Sequence, residues 1–425
     1  MTPVDPGKES RAAAGIPVVP PFDGFRAYAI MGIVVLHLLI ASGVITGGLG
    51  LSHRLVQATL GQCVDALFVI SGFVVFLPTV ARRGEFGSVG AYAVRRAARL
   101  VPAYWLILAL VLLLLAIVDL GGPTSFPGTG NIAVHAFYLQ TPVSFVRDLH
   151  MGFGVDGPVW TLSLEVTFYI LLPLVAGWYF RRPLLGLAIA ALITALWHEA
   201  IGHYDDLVSW LGANPSPSTS LRLQLNGLIQ FPFFAFSFAA GMTGAWAYVR
   251  FRETATARHV RIAQLASLAS LALFAFLVGH NATRGGVLFG AEFGRLSPIV
   301  AIGFSGSLAA VMVTTSLTGA RSQRVFANPL ARRLGDISYG IYLAHVVIIV
   351  YVLRLDVIPM EHRPNTGTIL GGNGDLGSFL LLAAIVIPGA VLYGYLSARF
   401  VEQPIRRWAH RFGRRGQELA AAYTS

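Results

Sequence analysis

The chain has 425 residues, of which 55% are hydrophobic and 12% are charged, and its mean hydropathy is +0.67. This composition excludes disordered, collagen-like and ordinary soluble proteins, and the single cysteine, Cys63, cannot form an internal disulfide. The net charge of +11 does not indicate nucleic-acid binding, because the basic residues lie between long apolar segments.

Ten segments are long and apolar enough to cross a bilayer as helices. They cover residues 26–46, 60–80, 100–120, 157–180, 183–202, 227–249, 261–280, 297–319, 335–354 and 378–399. The period-two alternation of a membrane β-barrel is not found in the sequence. We therefore expect an all-α polytopic bundle of about ten transmembrane helices. We also expect a disordered cytoplasmic extension over 1–21, a membrane domain over 22–408 and a basic cytoplasmic tail over 409–425.

Lys and Arg are concentrated at both ends of the chain and in alternate connections between the predicted helices. By the positive-inside rule, both termini are expected to lie in the cytoplasm, with the protein in the cell membrane. The longest outer connection is then 121–156. Within it, residues 131–140 are apolar but too short to span, so we expect them at the membrane interface.

The first predicted helix contains Arg26 and His37, whose side chains are basic. Such groups are costly inside a membrane, so each is a candidate functional residue. A separation of 11 residues returns to the same helix face and places His37 about 16 Å deeper than Arg26. We expect Arg26 at cytoplasmic depth and His37 near the midplane, with different roles.

The fourth predicted helix contains Glu165, about 10 Å from its outer end and therefore at the expected depth of His37. A carboxylate there could orient the imidazole and stabilise its protonated form, as a general base requires. The alternative is a polar pair that only joins two helices.

Polar and small residues in the second helix are Asp65, Ser71 and Gly72. Small residues such as Ser71 and Gly72 permit close helix packing, and Asp65, near the outer end, could be interfacial and solvated. We interpret all three as walls of a site rather than reacting groups. Further polar residues lie in or beside the last two predicted helices: Asp336, Tyr339, His345, Glu402 and Arg406.

Arg96 and Arg99 precede the third predicted helix, in a loop, and their spacing places them on one face if the loop is helical. Paired guanidinium groups suit a phosphorylated ligand. Anchoring to lipid headgroups or a topology signal would explain the same charges.

Motifs for metal binding or for an exposed serine nucleophile are absent from the sequence, so we expect neither. The histidines in or near the outer loops, among them His135, are not expected to have a special role.

Six blocks in chain order resemble the acyltransferase 3 family: DGFRAYAIMGIVVLH, VDALFVISGF, RRAARLVPAYW, WTLSLEVTFYILLPL, LGDISYGIYLAH and VEQP. The resemblance extends from about residue 22 to 408. It implies a ten-helix enzyme of the bacterial inner membrane that transfers acyl groups to hydroxyls, in the stand-alone form without an appended hydrolase-like domain.

The resemblance implies that His37 is catalytic, that Arg26 precedes it on the same helix, and that Arg96 and Arg99 face coenzyme A. Glu165 matches the acidic residue of the tryptophan–serine–glutamate block. The residues expected to support the site are Asp65, Ser71, Trp160, Ser163, Tyr169, Tyr339, His345 and Glu402. The chain departs from the family pattern at Leu67, Thr161, Val166 and Ala344, which puts the acceptor pocket in question more than the reaction.

The resemblance thus implies acyl-CoA, with acetyl-CoA as the default, as a co-substrate and no bound cofactor. The acceptor would be a hydroxyl of a sugar, envelope glycan, glycolipid or secondary metabolite. Direct transfer and an acyl-histidine intermediate both remain open. The alternative function is a proton-coupled transporter that uses His37 and Glu165 as a relay, although the inverted repeats common in transporters are not found.

Overall fold

The computed structural model describes residues 16–45, 55–56, 59–118, 125–146, 149–212, 215–284, 298–355, 376–409 and 411–412. All regular structure in these ranges is helical, and ten of the helices are long and apolar enough to cross a membrane. The expected polytopic helical bundle is therefore confirmed. We number its long helices in chain order: α1 Pro21–Ala41, α2 Cys63–Ala81, α3 Val89–Ile117, α4 Trp160–Arg181, α5 Pro183–Gly202, α6 Phe231–Phe251, α7 Ala257–Arg284, α8 Pro298–Leu317, α9 Pro329–Arg354 and α10 Leu376–Ser397.

The largest difference from the predicted segments is at the start of α3. This helix begins at Val89, where the Ser88 hydroxyl accepts a hydrogen bond from the Ala91 amide at 3.3 Å. The cap and the Ala- and Arg-rich sequence that follows favour helix. Arg96 and Arg99 therefore lie on α3 itself, and the prediction that they belong to a preceding loop was wrong.

The end of the chain's last long helix contains a local irregularity. A π turn over Ala398–Glu402 follows α10, and a further helical turn begins directly after it. Pro404 lies just after the π turn and has no amide proton to donate, so the irregularity falls where the helical hydrogen bonds are interrupted. The predicted extension and tail fall outside the described residues over 1–15 and 413–425.

The helices of the bundle interior are brought close together by small residues. A Cβ atom at Gly72 of α2 would overlap the Phe238 carbonyl of α6, and one at Gly241 would overlap the Val69 carbonyl. The packing role expected for Gly72 is thus confirmed. On the other side, α1 packs against both α2 and α9, and α9 packs against α3 and α10. This arrangement places α1 and α9 side by side.

The connection between α3 and α4 folds back against the bundle. It contains short helices over Thr129–Ala136 and Gln140–Val146 and two 3-10 turns, Met151–Gly154 and Gly157–Val159. The Tyr104 hydroxyl of α3 donates to the His135 carbonyl at 3.1 Å, and both residues are fully buried. One face of the segment expected at the membrane interface is therefore packed inside the protein.

Candidate active site

Two histidines meet where α1 packs against α9. The Nε2 atom of His345 lies 3.2 Å from the Nδ1 atom of His37, and the ring centroids are 5.1 Å apart. His345 is fully buried, whereas His37 is partly buried. The sequence placed His345 among the supporting residues and did not identify it as the partner of His37.

The hydrogen bonds of the two rings assign their tautomers. The Nδ1 atom of His37 is 3.0 Å from the Ile33 carbonyl oxygen, and that of His345 is 2.6 Å from the Tyr342 carbonyl oxygen. A carbonyl oxygen can only accept, so each Nδ1 carries the proton. In the neutral pair, Nε2 of His345 then accepts from His37. This leaves Nε2 of His37 as an unprotonated nitrogen, the form that a base or a nucleophile needs.

Tyr342 connects this pair to the start of α4. Its hydroxyl donates to the Pro158 carbonyl at 2.6 Å and lies 2.7 Å from the Thr161 hydroxyl. The Tyr342 backbone carbonyl also holds the His345 ring. Sequence reasoning missed Tyr342, although its position three residues before His345 places both on one face of α9.

Glu165 lies in a different group of residues. Its Oε1 atom accepts from the Ser71 hydroxyl at 3.1 Å and from the Tyr169 hydroxyl one turn along α4. Arg26 is within electrostatic range of Glu165 and of Arg99. A carboxylate is attracted to such a pair of guanidinium groups.

The structure therefore does not bring Glu165 and His37 into a hydrogen bond. Depth along a helix does not determine which neighbouring helix a side chain meets, so equal depth alone could not place the carboxylate against the imidazole. A catalytic role for Glu165 stays a prediction.

Arg96 of α3 lies between two tyrosine rings. Its guanidinium carbon is 5.9 Å from the Tyr92 ring centroid and 5.5 Å from that of Tyr169, within the range of cation–π contacts. The Tyr92 hydroxyl fixes this arrangement by donating to the Tyr169 carbonyl at 3.2 Å. The buried Nε atom of Arg96 has no hydrogen-bond partner in the described part of the chain. We call Arg26, Arg96 and Arg99 together the basic cluster.

Two other predicted acidic residues bind serine hydroxyls. Asp65 accepts from Ser237 at 2.7 Å and from Ser305 at 2.9 Å, which joins α2 to α6 and α8. Glu402 is buried and accepts from Ser397 at 3.1 Å. For Asp65, these bonds support the interpretation as a wall rather than a reacting group.

The remaining predicted residues lie on α4 and α9. The Tyr339 hydroxyl donates to the Leu100 carbonyl at 3.0 Å and is in electrostatic range of Glu165 and Glu402. The Trp160 ring packs against Phe234 with centroids 5.6 Å apart. The buried Ser163 hydroxyl has no hydrogen-bond partner among the residues that the structure describes.

His135 holds the outer connection, which sequence reasoning did not anticipate. Its Nδ1 atom donates to the Asn131 carbonyl at 2.8 Å, so its Nε2 atom accepts from the Gly152 amide at 3.0 Å. Burial lowers the pKa of His135, which keeps the ring neutral for this bond. Gly152 and Phe153 adopt left-handed φ angles of +53° and +59°, a strained conformation for phenylalanine. The expectation of no special role for His135 was wrong.

Comparisons with known proteins identify the family of the chain. The family profile described as an acyltransferase domain matches residues 20–395. The peptidoglycan O-acetyltransferase OatA of Listeria monocytogenes is 24% identical over 416 residues, which is 92% of this chain and 56% of the Listeria protein. The chain therefore spans little more than half of that relative.

Two further relatives belong to other bacteria. The exopolysaccharide production protein ExoZ of Rhizobium meliloti is 26% identical over 366 residues, or 82% of this chain and 90% of ExoZ. The O-acetyltransferase OatA of Staphylococcus aureus is 27% identical over 171 residues, or 39% of this chain and 26% of that protein. No solved structure matches.

Proposed function

The chain belongs to the acyltransferase family whose profile covers it, and from that premise we propose that it moves an acetyl group from cytosolic acetyl-CoA to a hydroxyl of a carbohydrate acceptor. The family and the O-acetyltransferases among its relatives make it an O-acetyltransferase-like membrane enzyme. The observation that carries the proposal is the contact between Nδ1 of His37 and Nε2 of His345, from which we infer that Nε2 of His37 is unprotonated.

The donor would bind at the basic cluster. Arg96, held between Tyr92 and Tyr169, and its neighbour Arg99 would bind the phosphate groups of coenzyme A. Arg26 lies 11 residues before His37 on α1, about 16 Å along the helix. The pantetheine arm of coenzyme A would extend over this distance and carry the thioester towards His37.

In direct transfer, Nε2 of His37 takes the proton of the acceptor hydroxyl while the oxygen attacks the thioester carbonyl. The carbon–sulfur bond then breaks, and protonated His37 returns the proton to the leaving thiolate, which gives an ester and free coenzyme A. His345 would stabilise the charged ring by accepting its Nδ1 proton in a hydrogen bond. In the covalent variant, Nε2 itself attacks the thioester, and the acyl group passes to the acceptor in a second step.

The acceptor class is inferred from the relatives. One is named for peptidoglycan and another for exopolysaccharide, both of which are carbohydrate polymers. A carbohydrate hydroxyl is therefore the acceptor that we propose, with the protein in the cell membrane and both termini in the cytoplasm.

The test is release of free coenzyme A from acetyl-CoA by the purified protein in nanodiscs, with oligosaccharides present. We expect His37→Ala to abolish the release and His259→Ala, at an exposed position beside Thr256, to retain it. Equal release of coenzyme A by wild type and His37→Ala would overturn the catalytic assignment of His37. No release by wild type would overturn the assignment of acetyl-CoA as the donor.

A further inference from the structure

Asp156 is a buried carboxyl group without a partner. Its side chain is 1% exposed, and neither oxygen has a hydrogen-bond partner among the described residues. Burial raises the pKa of this carboxyl well above its usual range. Leaving buried polar atoms unpaired is costly, so each instance in a folded protein needs a reason.

Other unpaired polar atoms lie around Asp156. Tyr104 connects them, because it is in electrostatic range of Asp156, stacks on Tyr138 at 4.5 Å and accepts from the Gln140 amide at 3.4 Å. Gln140 is fully buried, and its Oε1 atom has no partner within the described ranges. The hydroxyls of Tyr138 and of Tyr393, the latter also in electrostatic range of Asp156, are likewise buried and unpaired there.

This outer cluster, formed by Tyr138, Gln140, Asp156 and Tyr393, adjoins the histidine pair. Asp156 is in electrostatic range of Tyr342, whose carbonyl holds His345 and whose hydroxyl binds the Pro158 carbonyl two residues after Asp156. The outer cluster is thus reached from His37 through His345 and Tyr342. Within the basic cluster, Arg26 lies 11 residues before His37 on α1, about 16 Å along the helix.

The backbone that carries Asp156 is held in an unusual conformation. Phe153 has a φ angle of +59°, and the Asp156 amide donates to the Gly152 carbonyl at 3.1 Å. His135 fixes the same turn through the Gly152 amide. Strained backbone persists only where the surrounding structure enforces it, and it is concentrated at functional sites.

The unpaired atoms differ in what they offer a ligand. The Asp156 carboxyl and Gln140 Oε1 present oxygens that accept, while the two tyrosine hydroxyls can donate or accept. A carbohydrate carries several hydroxyls on one rigid ring, each able to donate and to accept, so it can satisfy such a set at once. An apolar ligand would leave the accepting oxygens unpaired, and an anionic ligand would be repelled by them.

We infer that Asp156, Gln140 and Tyr393 form the subsite that binds the hydroxyl groups of a carbohydrate acceptor next to the reacting one. This inference rests on the proposed function and assigns the acceptor side of the same site. Asp156 acts as a binding residue that accepts from sugar hydroxyls, and it takes no part in the proton transfer at His37.

The experiment uses the full chain in nanodiscs with saturating acetyl-CoA and a panel of chitotetraose, cellotetraose and isomaltotetraose as acceptors. Initial rates against oligosaccharide concentration give kcat and KM for wild type, Asp156→Asn and Tyr393→Phe. The matched control is Tyr351→Phe, which removes another buried, unpaired hydroxyl that lies on α9 outside the outer cluster. Hydrolysis of acetyl-CoA without acceptor reports on donor binding separately.

We expect Asp156→Asn to raise the acceptor KM about tenfold or more and Tyr393→Phe several-fold, as the loss of hydrogen bonds between buried groups and the ligand predicts. The KM for acetyl-CoA should not change, and Tyr351→Phe should match wild type. We also expect Asp156→Asn to unfold at a higher temperature than wild type without acceptor, because it removes an unpaired ionisable group. If Asp156 served only to stabilise the fold, the variant would instead unfold at a lower temperature than wild type.

Three outcomes overturn the inference. The first is an unchanged acceptor KM in Asp156→Asn. The second is a rise of the acceptor KM in Tyr351→Phe equal to that in Asp156→Asn. The third is His37-dependent hydrolysis of acetyl-CoA with no transfer to any oligosaccharide of the panel, which would leave the acyltransferase assignment standing and remove the carbohydrate subsite. Absence of any His37-dependent release of coenzyme A is the separate failure of the proposed function.

Discussion

His37 and His345, 308 positions apart in the chain, share a hydrogen bond of 3.2 Å between Nδ1 of the first and Nε2 of the second. Because the Tyr342 carbonyl fixes the proton on Nδ1 of His345, the bond also fixes the tautomer of His37. A protein that orients a reacting imidazole commonly uses a carboxylate for this purpose. Here a second neutral imidazole does so, and Glu165 remains with the basic cluster.

His345 should therefore act as a positioning residue for His37. We expect His345→Phe, which keeps the volume but removes the acceptor, to lower kcat about 10- to 100-fold. His345→Gln should retain part of the activity, because its side-chain oxygen can accept from His37 Nδ1. The measurement is steady-state release of coenzyme A, with the KM for acetyl-CoA as the control that should stay constant. Equal activity of the Phe and Gln variants would contradict the assignment.

Arg96 should recognise the phosphates of the donor through its planar guanidinium. We expect Arg96→Lys, which keeps the charge but loses the contacts with Tyr92 and Tyr169, to raise the KM for acetyl-CoA about three- to tenfold. Acetyl-pantetheine, which lacks phosphate groups, should be used equally by both proteins. Arg95→Lys, one residue away on α3, is the matched control. A parallel rise for both thioesters would show that Arg96 supports the helix and not the phosphates.

The sequence predicts the helices well because a span must be apolar over a fixed length, and each of the ten spans in the described ranges was found from that property alone. Helix starts were less accurate where the boundary depends on a side chain. The cap at Ser88 is one example, and it moved Arg96 and Arg99 from a loop onto α3.

Contacts between distant segments were the part that sequence could not supply. Periodicity shows which face of a helix a residue occupies but not which helix faces it, so Glu165 was assigned to His37 and His345 was not. Asp156 was missed for another reason. An acidic residue beside Gly157 and Pro158 is ordinary in an exposed loop, and only the packing of the outer connection shows that it is buried.

The close approach of α2 and α6 gives a prediction about folding. A Cβ atom at Gly72 would overlap the Phe238 carbonyl, which is backbone and cannot turn away. We expect Gly72→Ala to reduce strongly the yield of monodisperse protein in size-exclusion chromatography. Gly177→Ala is the control, since its nearest atom outside α4 is 3.8 Å away and alanine favours helix. Normal yield of Gly72→Ala would mean that the two helices can separate without cost.

The outer connection gives a prediction about pH. Burial lowers the pKa of His135, so below its ordinary value of 6.5 the unfolded chain binds more protons than the folded one. Stability should then be lost as the pH falls below about 6.5. Asp156 has the opposite sign, because its raised pKa makes the folded state more stable as the pH falls. The two effects must be separated to be measured.

Thermal unfolding in the Asp156→Asn background separates them. Because the side chain at position 156 then does not titrate, we expect the unfolding midpoint to decrease as the pH is lowered from 7 to 5. We expect a smaller fall after His135→Gln, whose side-chain oxygen can still accept from the Gly152 amide but does not titrate. His203→Gln, at an exposed position 3.6 Å from Glu199, controls for removing any histidine. An equal fall with and without His135 would show that the bond to Gly152 does not hold the turn that carries Asp156.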